Sequence, residues 1–236
     1  MKIVLTRVAK GPKEAVLPAV SVAFRTGEVT LARAETEQRP TVLGLIASGR
    51  MRPDSGTVTI DDEVDYGAMR KRIALVDAPS VCEPASDVTV AGVVAEELMF
   101  AGRRSHPVAV SRALAELGVS QWAKFAIGTV PPTVRIGLLA ELSIMRPGVE
   151  GLVITSPDRH GGDPNEWWQL ARGLAARGLA ILVVAGDASA AAIAVSGLID
   201  RIQATSLTTA DLAHQPDEEP GHHTDERPDT TTEDSE

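Results

Sequence analysis

The chain has 236 residues, 44% of them hydrophobic, and a mean hydropathy close to zero, so it is long enough to bury one sizeable core. Its single cysteine, Cys82, excludes an internal disulfide framework and is typical of a reducing compartment. Because no apolar run approaches the roughly 20 residues of a membrane span, we expect a soluble, cytoplasmic protein that reaches a membrane only through a partner.

The charge is unevenly distributed. The net charge is −9, but residues 214–236 contain nine Asp and Glu against one Arg, so they carry −8 and residues 1–213 only −1. A segment so acidic and so poor in apolar residues predicts disorder, which separates a domain at 1–213 from an acidic tail at 214–236. The acidic balance also argues against a nucleic-acid partner, because nucleic-acid phosphates would be repelled.

The first third of the chain has the alternation and β-branched content of strands. Turn signals separate predicted strands at Lys2–Val8, Val16–Phe24, Glu28–Arg33 and Gly56–Ile60. An apolar helix is predicted at Thr41–Ser48, ending at Gly49.

The remaining elements alternate between short apolar strands and longer helices. Predicted strands are Arg72–Val76, Gly151–Ile154 and Leu179–Val184, and predicted helices are Val88–Gly102, Pro107–Leu117, Thr133–Met145 and Asn165–Arg177. The last two strands are continuous apolar runs, as expected when helices cover both faces of a parallel sheet. This order predicts an α/β fold.

Several stretches, taken in order, resemble the ATP-binding cassette of ABC transporters. The carrying features are "GEV" and "RPDSGTV" at the ends of Gly27–Val58, "GGDP" within Pro147–Pro164, and the last strands at Ile181–Asp187 and 200–202. The resemblance implies a P-loop NTPase-like core with a parallel sheet, an antiparallel N-terminal β-subdomain and a small helical lobe at about 78–146. A generic α/β domain is the alternative.

The residues at the family's phosphate-binding loop, Ala34–Thr41, differ from the family pattern. Its glycine positions fall on Ala34, Glu37 and Arg39. Its lysine position falls on Pro40, and only the magnesium-binding hydroxyl, Thr41, is kept. Side chains at the glycine positions block the close approach of a phosphate, and the negative charges of Glu35 and Glu37 repel it. Pro40 removes an N–H donor, although proline suits the first turn of a helix. We therefore interpret residues 35–39 as a solvated loop. An anion held by Arg33 or Arg39 is the alternative.

The second nucleotide motif requires a carboxylate for magnesium and another for the attacking water. By the resemblance these positions fall on Thr155 and Ser156, which carry no charge. Asp158 and Asp163 follow in the loop, where a cap or turn role is the preferred interpretation. We expect His160 to be solvated rather than catalytic.

The remaining family positions are altered as well. The metal-sensing glutamine falls on Ala78 or its neighbour Asp77, and the switch histidine falls on Gly186. The signature loop falls on Thr129–Thr133, where two prolines remove two N–H donors. No catalytic position is intact, and Pro40, Thr41 and Ala78 are vestiges of cofactor binding.

These differences predict a catalytically inactive pseudo-ATPase that acts as a scaffold or regulatory partner in a membrane transport complex. The implied partners are an integral membrane subunit, a second ABC ATPase subunit, or both, and a dimer is possible. We expect neither a bound metal nor another cofactor, with ATP and magnesium only if residual binding persists. The alternative is a divergent but functional ATP-binding subunit that uses Thr41, Asp158 and Asp163. A small-molecule enzyme has less support, because Cys82 has no neighbouring histidine.

The resemblance places a partner surface at about Ala78–Ala126. Val93, Leu98, Met99 and Phe100 are the candidate docking residues, although their helical spacing fits burial in the lobe's own core better.

Overall fold

The computed structural model describes residues 1–35 and 38–196. The strands are β1 (Lys2–Lys10), β2 (Leu17–Arg25), β3 (Val29–Arg33), β4 (Ser55–Ile60), β5 (Ile73–Val76), β6 (Gly151–Thr155) and β7 (Ala180–Ala185). The helices are α1 (Arg39–Ala47), α2 (Tyr66–Arg72), α3 (Val90–Phe100), α4 (Pro107–Glu116), α5 (Pro132–Ile144), α6 (Pro164–Ala176) and α7 (Asp187–Val195).

Strands of the N-terminal part form an antiparallel sheet in the order β2-β1-β4. Ile3 of β1 pairs with Phe24 of β2 on one side and with Ile60 of β4 on the other. All three side chains are buried, so the alternation that predicted these strands places their apolar face against the core.

The second sheet is parallel, in the order β3-β7-β6-β5. Its central strands β6 and β7 are buried at every residue, which is why their sequences are continuous apolar runs. The predicted α/β class, with one parallel and one antiparallel sheet, is confirmed. All four strands run in the same direction, so Arg33, Val76, Thr155 and Ala185 end at one edge of the sheet.

The parallel sheet separates two apolar clusters, and successive residues of its strands point to opposite sides. Val153 and Leu182 pack with α1 and the antiparallel sheet, whereas Leu152 and Ile181 pack with helices α3 to α6. Burial on both faces fixes the register of these strands, because a shift of one residue would exchange the two clusters.

Two described helices were not predicted. Helix α2 has only seven residues and one buried side chain, Met69, so it leaves no helical period to detect; Arg72 ends it rather than beginning β5. Helix α7 is alanine-rich and weakly amphipathic. Helix α1 begins two residues earlier than predicted, with Pro40 in its first turn.

Several expectations lie outside the described residues. These are the strand around 200–202, the domain boundary after 213 and the tail at 214–236. Among the helices that the structure describes, none has the length and apolar character to cross a membrane.

Candidate functional site

A surface cavity of about 460 Å³ lies at the edge where β3, β6 and β7 end. It is lined mainly by residues of the β3–α1 segment, the segment after β6 and the first turn of α7: Glu35, Pro40, Ser156, Asp158, Gly186 and Ser189. The structure thus brings together Pro40, Ser156 and Gly186, three positions that the family resemblance assigned to nucleotide chemistry.

Two carboxylates of this cavity bind the N-terminus of α7. The Glu35 Oε1 atom accepts a hydrogen bond of 2.7 Å from the backbone N–H of Asp187, and Asp158 Oδ2 accepts one of 2.8 Å from that of Gly186. The Ser189 hydroxyl also lies 3.4 Å from Asp158 Oδ2. Asp158 therefore has the predicted capping role, but it acts 28 residues further along the chain, on Gly186 immediately before helix α7.

This arrangement makes the cavity unfavourable for an anion. The α7 N-terminus carries the partial positive charge of its free N–H groups, and the carboxylates already satisfy two of them. Arg33 lies 3.5 Å from the carboxylate of Asp187, so it too has a partner within the chain. A phosphate entering here would meet two negative charges.

Two threonine hydroxyls beside the cavity are buried without a hydrogen-bond partner in the described part of the chain. They belong to Thr41 in α1 and Thr155 at the end of β6. Helix α1 packs closely on this strand, because a Cβ atom at Gly44 would lie 2.9 Å from the Thr155 Oγ1 atom. Ser156 follows with a left-handed backbone, φ 48°, which directs the chain away from the sheet. Neither Thr155 nor Ser156 supplies a carboxylate at the end of this strand.

A second polar cluster lies at the end of β5 and surrounds Asp77, which is 3% exposed. Arg135 of α5, itself 4% exposed, donates two hydrogen bonds to the Asp77 carboxylate, of 3.0 Å from Nε and 2.7 Å from Nη2. This bidentate pair joins α5 to the parallel sheet and neutralises a charge that would otherwise be costly to bury.

The segment after β6 adds two more partners to Asp77. Arg159 Nη2 donates a hydrogen bond of 2.9 Å to the Asp77 carbonyl and lies 3.0 Å from the carboxylate, and its Nη1 is 2.5 Å from Glu83. The Nε2 atom of His160 lies 2.7 Å from the Asp77 carboxylate. The expectation that His160 is simply solvated is wrong, because its ring belongs to this buried network.

The pKa of the Asp77 carboxyl reflects two opposing effects. Burial raises the pKa, but the hydrogen bond with His160 and the charges of Arg135 and Arg159 outweigh burial and lower it to about 2. The network therefore holds an ionised carboxylate in the protein interior. Sequence reasoning missed the roles of Arg135 and Arg159. For Arg135 a signal was available, because it is a charged residue within the apolar pattern of α5.

The other predicted positions lie away from the cavity. Ala78 is fully buried, and its carbonyl accepts hydrogen bonds from the backbone N–H groups of Val81, Cys82 and Glu83. In the segment that aligns with the signature loop, the Thr133 hydroxyl donates a hydrogen bond of 2.6 Å to Glu166. Asp163 caps α6 by accepting from the N–H of Asn165.

The candidate docking residues divide into two pairs. Val93 and Leu98 are buried in the core, as the preferred interpretation predicted, whereas Met99 and Phe100 are exposed. Within residues 1–35 and 38–196 there is no group of three or more His, Cys, Asp or Glu side chains placed to hold a metal ion.

Comparison with known proteins shows the fold. No protein-family model matches the chain, and no curated protein matches its sequence significantly. Among solved structures, a nucleotide-free ATP-binding cassette from an ABC transporter is similar, with a TM-score of 0.55 and 16% identity over 79% of this chain and 81% of that one. A bacterial ABC transporter cassette, solved as a dimer, gives a TM-score of 0.57 with 19% identity over 79% and 88%. The protein cbiO1 from Clostridium perfringens, part of the ABC transporter complex cbiONQ, gives 0.55 with 16% identity over 78% and 77%. The chain therefore has the fold of these ATP-binding cassettes.

Proposed function

We propose that this protein is a catalytically inactive cassette subunit, a pseudo-ATPase that serves as a scaffold or regulatory partner in a membrane transport complex. The observation that carries the proposal is that Glu35 and Asp158 bind the N-terminus of α7 inside the cavity where a nucleotide would need free donors and positive charge. The chain supplies its own anions at that place.

The chemistry of the neighbouring residues supports the same conclusion. Phosphate transfer requires N–H donors and a cation around the phosphates, and carboxylates for the metal and the attacking water. Pro40 has no N–H, and Thr155 and Ser156 stand where the carboxylates are required. Losing a phosphate lysine and a catalytic carboxylate together removes several kcal/mol of transition-state stabilisation, on the order of 10³-fold or more in rate.

The partners follow from the likeness in fold to cbiO1, which is part of a transporter complex, and to a cassette solved as a dimer. We infer that this chain works with an integral membrane subunit, a second ABC ATPase subunit, or both, on the cytoplasmic side of a membrane.

One observation favours the alternative of a divergent, functional ATP-binding subunit. The Thr41 hydroxyl, which aligns with the family's magnesium ligand, is buried and lacks a partner in the described part of the chain. A metal-bound nucleotide would provide that partner, with Asp158 and Asp163 as the nearest acidic residues in the second motif.

Titration calorimetry of the full chain with ATP, with and without Mg²⁺, distinguishes the two functions. The proposal predicts neither heat nor a thermal shift at about 1 mM nucleotide, which corresponds to a binding free energy weaker than about 4 kcal/mol. Any phosphate release is to be compared between the wild type and Asp158→Asn. Equal rates indicate a contaminating ATPase, whereas Mg²⁺-dependent binding together with a rate that falls in the variant would establish the alternative.

A further inference from the structure

The end of the α3–α4 hairpin combines unpaired cations with exposed apolar side chains. We define the hairpin surface as Met99, Phe100, Arg103, Arg104, Val108 and Arg112. Residues 98–113 contain three arginines and neither Asp nor Glu, within a chain whose net charge is −9. This surface lies outside the cavity discussed above, so its role is independent of the proposed function.

The three arginines line one cavity of about 360 Å³, together with His106 and Val108. Glu116 is the acidic residue in its lining. Arg72, Arg146 and Arg177 elsewhere each have a carboxylate partner. In the described ranges, no ion pair or side-chain hydrogen bond joins the guanidinium group of Arg103, Arg104 or Arg112 to another residue, although the backbone N–H of Arg103 donates to the Leu98 carbonyl. Guanidinium groups present a fork of donors that matches the oxygens of phosphate.

Apolar side chains flank these cations at the surface. Met99 is 59% exposed, Phe100 60% and Val108 66%, although Met99 follows the buried Leu98 and Phe100 precedes the buried Ala101. Leaving large apolar side chains in water is unfavourable, and their grouping on one hairpin marks a contact surface.

We propose that the hairpin surface binds directly to a bilayer that contains anionic phospholipid. The arginines would bind the headgroup phosphates while Met99, Phe100 and Val108 enter the boundary between headgroups and acyl chains. Charge complementarity favours this occupant, because three arginines without a side-chain partner lie beside exposed apolar residues, in a segment that contains neither Asp nor Glu, while residues 1–213 as a whole carry a net charge of only −1. The protein would then contact the membrane itself, in addition to any membrane subunit.

Vesicle co-sedimentation of the full chain tests this proposal, with vesicles of phosphatidylcholine alone or mixed with phosphatidylglycerol. We expect binding to the mixed vesicles that weakens with salt, and at least about tenfold weaker binding to the neutral ones. Arg103→Glu/Arg104→Glu/Arg112→Glu should lose binding by a similar factor. Met99→Ser/Phe100→Ser should weaken it severalfold without abolishing the salt dependence.

The matched control is Lys13→Glu/Lys71→Glu/Arg172→Glu, which makes the same charge change at exposed positions elsewhere and should bind nearly as the wild type does. Circular dichroism melting confirms that each variant is folded. Equal losses in both triple variants, equal binding to both kinds of vesicle, or no binding at all would overturn the proposal. Arginine-dependent binding of an acidic amphipathic peptide without vesicle binding would instead assign the surface to a protein partner.

Discussion

Asp77 and the Glu35–Asp158 pair lie at the same edge of the parallel sheet, but their negative charges have different kinds of partner. Asp77 is buried and surrounded by Arg135, Arg159 and His160. Glu35 and Asp158 bind only N–H groups and a hydroxyl at the start of a helix. The first cluster is compensated and holds segments of the chain together, whereas the second leaves negative charge facing a cavity. In both clusters the carboxylates bind other groups of the same chain, but only the first cluster neutralises its negative charge.

The largest expected effect is the loss of Asp77. Asp77→Ala would leave Arg135 buried without its carboxylate, and we expect the free energy of unfolding in urea to fall by about 3–5 kcal/mol. The control is Glu141→Ala on α5, the helix that carries Arg135. This variant removes a more exposed ion pair with Arg177, and its free energy of unfolding should fall by less than about 1 kcal/mol. Similar losses in the two variants would show that the Asp77 network is no more important than a surface pair. If Asp77→Ala does not fold, Asp77→Asn permits the same comparison.

The second effect is a pH dependence. Because the Asp77 pKa is lowered from 3.8 to about 2, the ionised carboxylate stabilises the folded state fully above pH ~4, and this stabilisation is lost as the pH falls towards 2. The difference in unfolding free energy between the wild type and Asp77→Asn should shrink by about 2 kcal/mol over that interval. A difference that stays constant from pH 5 to pH 2 would contradict the ionised network.

The third effect concerns the unpaired hydroxyl of Thr155. Thr155→Val keeps the shape and removes a buried polar group that has no partner in the described chain, so we expect the unfolding free energy to rise by about 1 kcal/mol. Thr30→Val is the matched control, because its buried hydroxyl donates a hydrogen bond of 3.1 Å to the carbonyl of Ala23. That variant should lose about 1 kcal/mol. A loss of stability in Thr155→Val as well as in Thr30→Val would mean that the Thr155 hydroxyl has a partner.

The smallest effect is expected for Glu35→Gln. Replacing a carboxylate at the N-terminus of α7 by an amide weakens a charge–dipole interaction, and thermal melting should show a loss of about 0.3–1 kcal/mol that salt reduces. Glu96→Gln, on an exposed face of α3, should change stability by less. A stability gain in Glu35→Gln would indicate that repulsion from Asp158 dominates, and would make the two clusters more different still.

Much of the fold was predictable because burial of a strand or helix is visible in the local pattern of apolar residues. The continuous apolar runs of β6 and β7, the alternation of β1 and the capping Asp163 all act locally. The site was less predictable, since Asp77 meets Arg135 across 58 positions and Arg159 across 82. Nothing local in the sequence specifies those pairs. The resemblance assigned Pro40, Ser156 and Gly186 to nucleotide positions of the family, but it gave no indication that Glu35 and Asp158 bind the N-terminus of α7.

The long separations within the Asp77 network also bear on how fast the protein folds and unfolds. Its partners meet only after β5, α5 and the segment after β6 have docked, so the loops between them must close before any of these charges is compensated. We expect the network to form late, after the rate-limiting step of folding. Interactions of that kind mainly slow unfolding, so this cluster would then set the lifetime of the native state.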